Sequence, residues 1–262
     1  LPISAGFTVS ATILIGNAFG AKKYEDIQQI INTTMFIFTI FSVIMTVLLL
    51  FFSEGILSIL HTPSEAVEEA KNYIFISGFG IIFIVFFNLL SSILRGVGNS
   101  HAPMVFVGIS TVVNLILNLI FIGHFGMAAK GAALATVISQ AVSVTSAIIY
   151  IKRSNFIFGI KFRHIRFLKD IALKIFRLGL PLSLQDTVMP ISFLVLYTLS
   201  NSMGISESAA YGTVVRLNAF LMLPAGSFAM ALTVITAQHI GAKEYSRALR
   251  RSEERRVGKE CR

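Results

Sequence analysis

Charged residues are scarce in this sequence. Asp, Glu, Lys and Arg make up 13% of the 262 residues, roughly half the share of an ordinary soluble domain, which argues against that class. The single cysteine, Cys261, excludes a disulfide framework and a metal site built from cysteines. The five histidines are scattered and show no His-His or His-Glu spacing typical of a metal site.

Apolar residues dominate the composition. They account for 55% of the chain, and the mean hydropathy is +0.77, which favours a membrane protein. The formal net charge of +9 does not predict nucleic-acid binding, because the bases lie between apolar segments and form no aromatic-basic surface. A helix needs about 20 apolar residues to cross a bilayer. Seven segments meet this requirement: 1–19, 30–52, 72–94, 103–122, 128–151, 171–199 and 209–240.

One of these segments occurs twice. An apolar stretch runs into a short turn led by Gly-Ala-Lys near the start and again near the end of the chain, and a Leu-Pro pair precedes each copy. Repeats of long period in a very apolar chain are typical of secondary transporters made of two related halves. Six identities fall in register at one offset: Phe7 with Phe228, Thr12 with Thr233, Gly20 with Gly241, Ala21 with Ala242, Lys22 with Lys243, and Tyr24 with Tyr245.

The loops predict the orientation of the helices. From the first copy to the second the chain completes six spans, so both copies run in the same direction and the halves are related by an axis along the membrane normal. Lys and Arg concentrate in loops 20–29, 95–102 and 152–170, whereas the alternate loops 53–71, 123–127 and 200–208 are poor in bases. The positive-inside rule therefore places the basic loops in the cytoplasm.

The segment boundaries predict the domain organisation. We assign 1–151 to an N-lobe and 171–249 to the start of a C-lobe, joined by a basic, Phe-containing linker at 152–170 that suits an interfacial helix on anionic headgroups. Residues 250–262 are either a charged cytoplasmic loop or a foreign tail; we favour the tail and exclude it from the fold. The chain begins inside an apolar stretch, so we expect a fragment.

Four further motifs, together with the doubled turn, carry a family resemblance. They are the run from Arg95 to Met104, the stretch Asn114–Asn118, Gly131–Thr136, and Gly179–Gln185. In this order the five motifs resemble the multidrug and toxic compound extrusion (MATE) family of cation-coupled exporters, over residues 1–249. The resemblance implies twelve spans in two pseudo-symmetric six-helix lobes, an all-α polytopic membrane bundle of which this chain would hold helices two to eight.

Polar residues on the fourth and fifth spans form a candidate cation site. Asn114 and Asn118 are four residues apart and share a helix face with Ser110; amide and hydroxyl oxygens suit Na⁺. The MATE resemblance implies an N-lobe site with an Asp on the first helix, which has no counterpart here, Asn and Asp on the fifth, and Thr on the sixth. Asn114 and Thr136 match, and Asn118 replaces the common Asp. The alternative is that these groups only make interhelical hydrogen bonds.

Asp186 is the only carboxylate deep within an apolar span. A charge at mid-bilayer is costly, so we expect Asp186 to face a cavity, to have a raised pKa and to exchange protons or attract cationic compounds; the alternative is a structural pair with a polar neighbour. Gln185, Gln140 and Asn88 complete the predicted substrate cavity, in which Gln185 matches a Gln frequent in MATE proteins.

These features predict a non-enzymatic, cation-coupled antiporter in the cell membrane, a multi-pass monomer that exports amphipathic or cationic drugs by alternating access. We expect no organic cofactor, with Na⁺ or H⁺ as the coupling ion and the lipid bilayer and small organic substrates as partners. The alternative from the same superfamily is a lipid-linked oligosaccharide flippase or polysaccharide exporter, which would favour cavity arginines. A membrane enzyme would need clustered acids or histidines, and a pore would not need two halves.

Overall fold

The chain folds into helices throughout the part that the structure describes. This computed structural model describes residues 2–59, 64–154 and 167–250, and these ranges contain no strand. Eight α-helices follow in order: α1 Pro2–Gly20, α2 Tyr24–Phe51, α3 Ser53–Ile59, α4 Ser64–Gly96, α5 His101–Asn118, α6 Ala128–Arg153, α7 Lys169–Met203 and α8 Ile205–Gly241.

The predicted spans are confirmed as helices. Six helices among the described residues are long and apolar enough to cross a membrane, namely α2 and α4–α8, and α1, the first predicted span, is a 19-residue helix outside that set. Two elements were not predicted: the short helix α3, and a π-helical continuation of α5 at Leu119–His124. The predicted interfacial helix in 152–170 and the tail 250–262 fall largely outside the described residues.

The lipid environment explains why the described chain is almost entirely helical. A backbone N–H or C=O in hydrocarbon finds no water, so each must be satisfied within its own segment, which a helix does. The side chains that face outward are accordingly apolar: Phe51 is 78% exposed, Met104 73% and Phe228 71%. Several hydroxyl groups inside the spans donate to a carbonyl of the preceding turn: Thr12 Oγ1 donates to Thr8 O at 2.9 Å and Thr233 Oγ1 donates to Ala229 O at 2.8 Å.

The doubled turn has the same backbone geometry in both copies. Lys22 and Lys243 take left-handed φ values of 57° and 61°, a conformation in which helices commonly end. The same three hydrogen bonds close each turn, at 2.9–3.0 Å. They run from the N–H groups of Ala21, Lys22 and Lys23 to Asn17 O, Phe19 O and Ala18 O, and from those of Ala242, Lys243 and Glu244 to Gln238 O, Ile240 O and His239 O.

An ion pair follows each turn with its signs exchanged. Lys23 lies 3.8 Å from Asp26 in the first copy, and Arg247 lies 3.0 Å from Glu244 at the equivalent positions of the second. Outside the spans, the hydrogen bond with His239 holds the pKa of Glu244 below its usual value, and the Arg247 charge adds to this effect while burial opposes it. Both copies of the repeat therefore have an ion pair at these two positions, but the acid and the base exchange places.

The described residues divide into two compact units. One comprises the described residues of Leu1–Ile27, Gly96–Gly98 and Leu173–Arg262, and the other those of Gln28–Arg95 and Asn99–Ala172. The first unit thus contains both copies of the repeat. The predicted lobe boundaries stay a prediction.

In the first unit, α1 packs against α7 in antiparallel fashion. Ser10 Oγ donates to Ile175 O at 3.0 Å, and the rings of Phe7 and Phe176 meet edge to face with centroids 5.2 Å apart. Gly6 lies directly against the backbone of Ser183. Small residues at such points let helix backbones approach, which is the main source of helix association in lipid.

In the second unit, α5 and α6 form an antiparallel pair. Ser110 Oγ donates to Ser139 O at 2.9 Å, and Ser143 Oγ donates to Phe106 O at 3.4 Å. Ser139 and Ser143 are buried and, with Gly131, Ala135 and Ala147, form a stripe of small residues along α6. These side chain–backbone bonds fix the register that brings the polar residues of the two helices together.

A methyl group at Gly6 should destabilise the packing of α1 on α7. A Cβ there would overlap the Ser183 backbone, which cannot move as a side-chain tip can, so we expect Gly6→Ala to cost about 1–3 kcal/mol as other overpacked sites do. The matched control is Gly212→Ala on α8, where a Cβ would meet nothing within 4 Å. Thermal melting in detergent measures both; an equal melting temperature in the two variants would contradict this contact.

Candidate functional site

The structure brings three of the predicted cation ligands together. Asn114 and Asn118 on α5 face Thr136 on α6: Asn114 Nδ2 lies 3.5 Å from Thr136 Oγ1, and Asn118 Nδ2 donates to Asn114 Oδ1 at 3.0 Å. Asn114 and Asn118 are half-buried, and Thr136 is exposed. The i, i+4 spacing therefore places both amides on the helix face that meets α6, as the sequence predicts.

Ser139 is a member of this cluster that the sequence analysis did not assign to it. Its Oγ accepts a hydrogen bond from Asn114 Nδ2 at 3.4 Å and donates to Thr136 O at 2.8 Å, and its carbonyl accepts from Ser110. The sequence signal was its spacing three residues after Thr136, but a small residue in a packing stripe has no distinctive pattern. Only the register of α5 on α6 shows its polar role.

The hydrogen-bond directions describe the state of the cluster. The amide nitrogens of Asn114 and Asn118 point inward as donors, and Thr136 Oγ1 itself donates to Ala132 O at 2.9 Å. A cation needs oxygens pointing inward. A half-turn of the Asn114 side-chain amide would exchange its nitrogen for its oxygen beside the Thr136 and Ser139 hydroxyls. Because Asn118 Nδ2 donates to Asn114 Oδ1, the Asn118 amide must turn together with that of Asn114. The cluster is therefore satisfied by its own hydrogen bonds and can present oxygen ligands after both side-chain amides rotate.

A π-helical segment begins directly after Asn118. Residues Leu119–His124 are wound more widely than an α-helix, and Phe125 N donates to Ile120 O at 3.0 Å, an i→i−5 bond. Such turns occur frequently at functional sites. The segment ends at His124, and Gly126, which has φ +63°, lies in the short turn to α6. Nothing in the amino-acid pattern predicted this winding.

The predicted cavity residues lie apart from the cluster or beside it. Gln140 follows on α6 and Asn88 is on α4, in the same unit as Asn114, and both are half-buried. Asp186 is half-buried and Gln185 exposed on α7, in the other unit. Within the described part of the chain, these four side chains have no hydrogen bond or ion pair to hold them. They are therefore free to contact water or a ligand, and the structural pair considered for Asp186 has no observed partner among the described residues.

The position of Asp186 follows from the packing of α7. Ser183 is buried against α1 and Gly179 contacts Phe7, so this side of α7 faces α1. Asp186 lies three residues after Ser183 and shares that side, one turn beyond the closest contact. Asp186 therefore lies on the side of α7 that carries the contacts with α1, where a charge is less costly than on a lipid-facing side.

Comparison with known proteins identifies relatives over most of the chain. The MatE family model matches residues 1–120 and 181–252. The chain is 28% identical over 256 residues to the probable multidrug resistance protein YoeA of Bacillus subtilis, covering 94% of this chain and 55% of the relative. It is 27% identical over 214 residues to the multidrug export protein MepA of Staphylococcus aureus, covering 82% of this chain and 48% of the relative. The chain thus spans about half the length of the curated relatives that it matches.

Solved structures have the same fold. An outward-facing multidrug resistance MATE family transporter of the MOP superfamily superimposes with a TM-score of 0.87 at 25% identity, covering 95% of this chain and 56% of that one. A MATE protein crystallised in complex with MaD5 gives a TM-score of 0.90 at 26% identity, covering 95% and 57%. These matches confirm the predicted polytopic bundle and the resemblance stated from the motifs.

Loss of the Asn114 amide should destabilise the α5–α6 pair more than loss of Asn118. Asn114 bonds to α6, whereas Asn118 bonds only to its own helix, and interhelical hydrogen bonds in lipid contribute about 0.6–2 kcal/mol. We expect the melting temperature to fall further in Asn114→Ala than in Asn118→Ala. The reverse order, measured in the same detergent without Na⁺, would show that the interhelical bonds are not what holds the cluster.

Proposed function

Because the chain belongs to the MatE family, we propose that the complete protein exports amphipathic, often cationic organic compounds across the cell membrane in exchange for Na⁺ or H⁺. The family-model match together with the membrane-helix fold supports this proposal. Relatives of the chain are named multidrug resistance and multidrug export proteins. The protein is a multi-pass membrane protein, and we propose that it functions as a monomer without an organic cofactor and catalyses no covalent chemistry.

The α5–α6 cluster supports a role for Na⁺. Amide and hydroxyl oxygens are hard, uncharged ligands that replace water around a small cation. Asn114 would turn its oxygen toward Thr136 and Ser139, and Asn118 would supply a second amide. An amide does not titrate. By itself, the cluster would therefore bind a metal ion and could not carry a proton.

Asp186 supplies the chemistry that the cluster lacks. Its carboxylate is partly withdrawn from solvent and has no hydrogen bond or ion pair within the described residues, so it is available to a coupling cation or to a cationic substrate. Competition between a cation and a substrate for one charge is a sufficient basis for exchange, because binding of either disfavours the other. The direction of transport then follows from the cation gradient.

Alternating access requires that the cation and the substrate favour different conformations. A ligand shifts such an equilibrium only by its difference in affinity for the two states. Rocking of two repeat-related halves about a central site would provide the two states. The charged side chains lie mainly in loops, and the helix surfaces are apolar. Among the described residues no ion pair lies within the bilayer core, so none would have to break during this motion.

Removal of the Asp186 charge should impair export. We expect Asp186→Asn to lower the initial rate of dye efflux about tenfold or more, equivalent to about 1.4 kcal/mol in the barrier, in cells under an imposed cation gradient. Asp170→Asn, an exposed carboxylate in the first turn of the same helix, serves as the control and should transport normally. Equal efflux by parent and Asp186→Asn would remove Asp186 from the mechanism.

Sodium should stabilise the protein through Asn114. A ligand that binds only the folded state raises stability by RT ln(1 + [L]/Kd), so the melting temperature should be higher in NaCl than in choline chloride. Asn114→Leu should lose this difference. If the parent melts equally in both salts while efflux responds to a pH gradient, H⁺ and not Na⁺ is the coupling ion.

A further inference from the structure

The two copies of the repeated segment contact each other. Helices α1 and α8 pack in parallel along their last turns: a Cβ on Gly20 would overlap the carbonyl oxygen of Gln238, and a Cβ on Gly241 would overlap the carbonyl oxygen of Asn17. Asn17 and Gln238 occupy the same place in the two copies, as do Gly20 and Gly241. The contact is therefore two-fold symmetric, because the glycine of each copy meets the same carbonyl position of the other.

The symmetry axis passes between Gly16 and Ala237. These residues are equivalent in the repeat and face each other, since a Cβ on Gly16 would lie 3.3 Å from Ala237 Cβ. Gly16 and Gly20, and likewise Ala237 and Gly241, form the small-xxx-small spacing by which parallel helices pack closely in lipid. A side chain at Gly20 or Gly241 would overlap the facing backbone and separate the two helices, whereas a Cβ at Gly16 would meet only the Ala237 methyl group.

One polar side chain ties this contact to a third helix. Gln238 Nε2 donates to Gly96 O at 3.0 Å. Gly96 is the last residue of α4, where carbonyl groups lack an intrahelical donor. A Cβ on Gly96 would lie 2.7 Å from Ile15 Cγ2 of α1, so the end of α4 sits against both repeat copies. Gln238 therefore positions the end of α4 on the symmetric contact.

The contact lies at the end of the helices that carries the basic turns. Lys22 and Lys23 follow α1, and Lys243 and Arg247 follow α8, and the positive-inside rule assigns this end to the cytoplasm. The contact consists of glycine, alanine and backbone atoms with one hydrogen bond. Such a surface closes tightly without interlocking side chains, so the helices can part without rotamer rearrangement.

We propose that this contact is a two-fold latch that closes the cytoplasmic side of the transporter and that Gln238 is the positioning residue which holds it shut against α4. The proposal rests on the transport function proposed above. Opening toward the cytoplasm requires separation of Gly16–Gly20 from Ala237–Gly241 and loss of the Gln238–Gly96 bond.

A disulfide across the axis tests the latch. The complete protein carries Gly16→Cys and Ala237→Cys, with every other cysteine, Cys261 included, replaced by Ser. Since disulfides place Cβ atoms about 3.5–4.5 Å apart, oxidation should link α1 to α8 with little displacement and stop dye efflux, and reduction should restore it. Gly16→Cys paired with Ile235→Cys is the control, because Ile235 is exposed on another face of α8 and should not cross-link.

The outcomes separate the latch from the transport function. Full efflux by the cross-linked protein overturns the latch and leaves the exporter intact, and so does a failure of the Gly16→Cys/Ala237→Cys pair to cross-link. If the parent protein shows no dye efflux under reducing conditions, the proposed transport function is contradicted instead. The formation of the cross-link would still report whether α1 and α8 are in contact.

Maleimide labelling of an introduced thiol tests the role of Gln238 separately. In a Gly16→Cys, Cys261→Ser background, Gln238→Leu should raise the rate of maleimide labelling from the cytoplasmic side several-fold, because the closed state loses its tie to α4. Gln29→Leu, the same exchange at an exposed position of α2, should leave labelling unchanged. If Gln238→Leu lowers the melting temperature but leaves the introduced thiol as well protected from maleimide as before, Gln238 is only structural.

Discussion

The absence of water around the spans is the constraint on which this structure depends. Backbone groups in hydrocarbon must find a hydrogen-bond partner within the protein, so the described chain is helical. The backbone groups that depart from α-helical bonding still have partners. The widened turn at Leu119–His124 retains i→i−5 bonds, and the carbonyl of Gly96 at the end of α4 is satisfied by a side chain from α8. The Thr12 and Thr233 hydroxyls likewise bond within their own helices.

Lipid also removes the hydrophobic effect as a source of contact between helices. Close packing must replace it, and packing needs small residues where helices meet. Gly6 against Ser183, Gly16 against Ala237 and Gly20 against Gln238 are such places. A contact made of small residues is strong when closed and has little to rearrange when it opens. The same feature that stabilises the bundle therefore permits motion between its helices.

The candidate site shows both the reach and the limit of sequence reasoning. The helix periodicity placed Asn114 and Asn118 on one face, and the short turn after α5 placed Thr136 opposite them; the structure confirms that these residues meet. Ser139 was missed because a serine in a small-residue stripe looks like packing alone. The direction of the Asn114 amide depends on which neighbours offer acceptors, and no spacing rule contains that information.

The repeat illustrates the division most clearly. The sequence by itself determined that two segments share a pattern, that both are apolar helices ending in a Gly-Ala-Lys turn, and that lipid surrounds them, because composition and short-range periodicity depend only on neighbours along the chain. Only the tertiary structure decided that the two copies touch, that Gly16 faces Ala237, and that Gln238 reaches Gly96. Those contacts join residues far apart in the chain, and they depend on how closely helix backbones approach, which is settled by the packing of all the helices together.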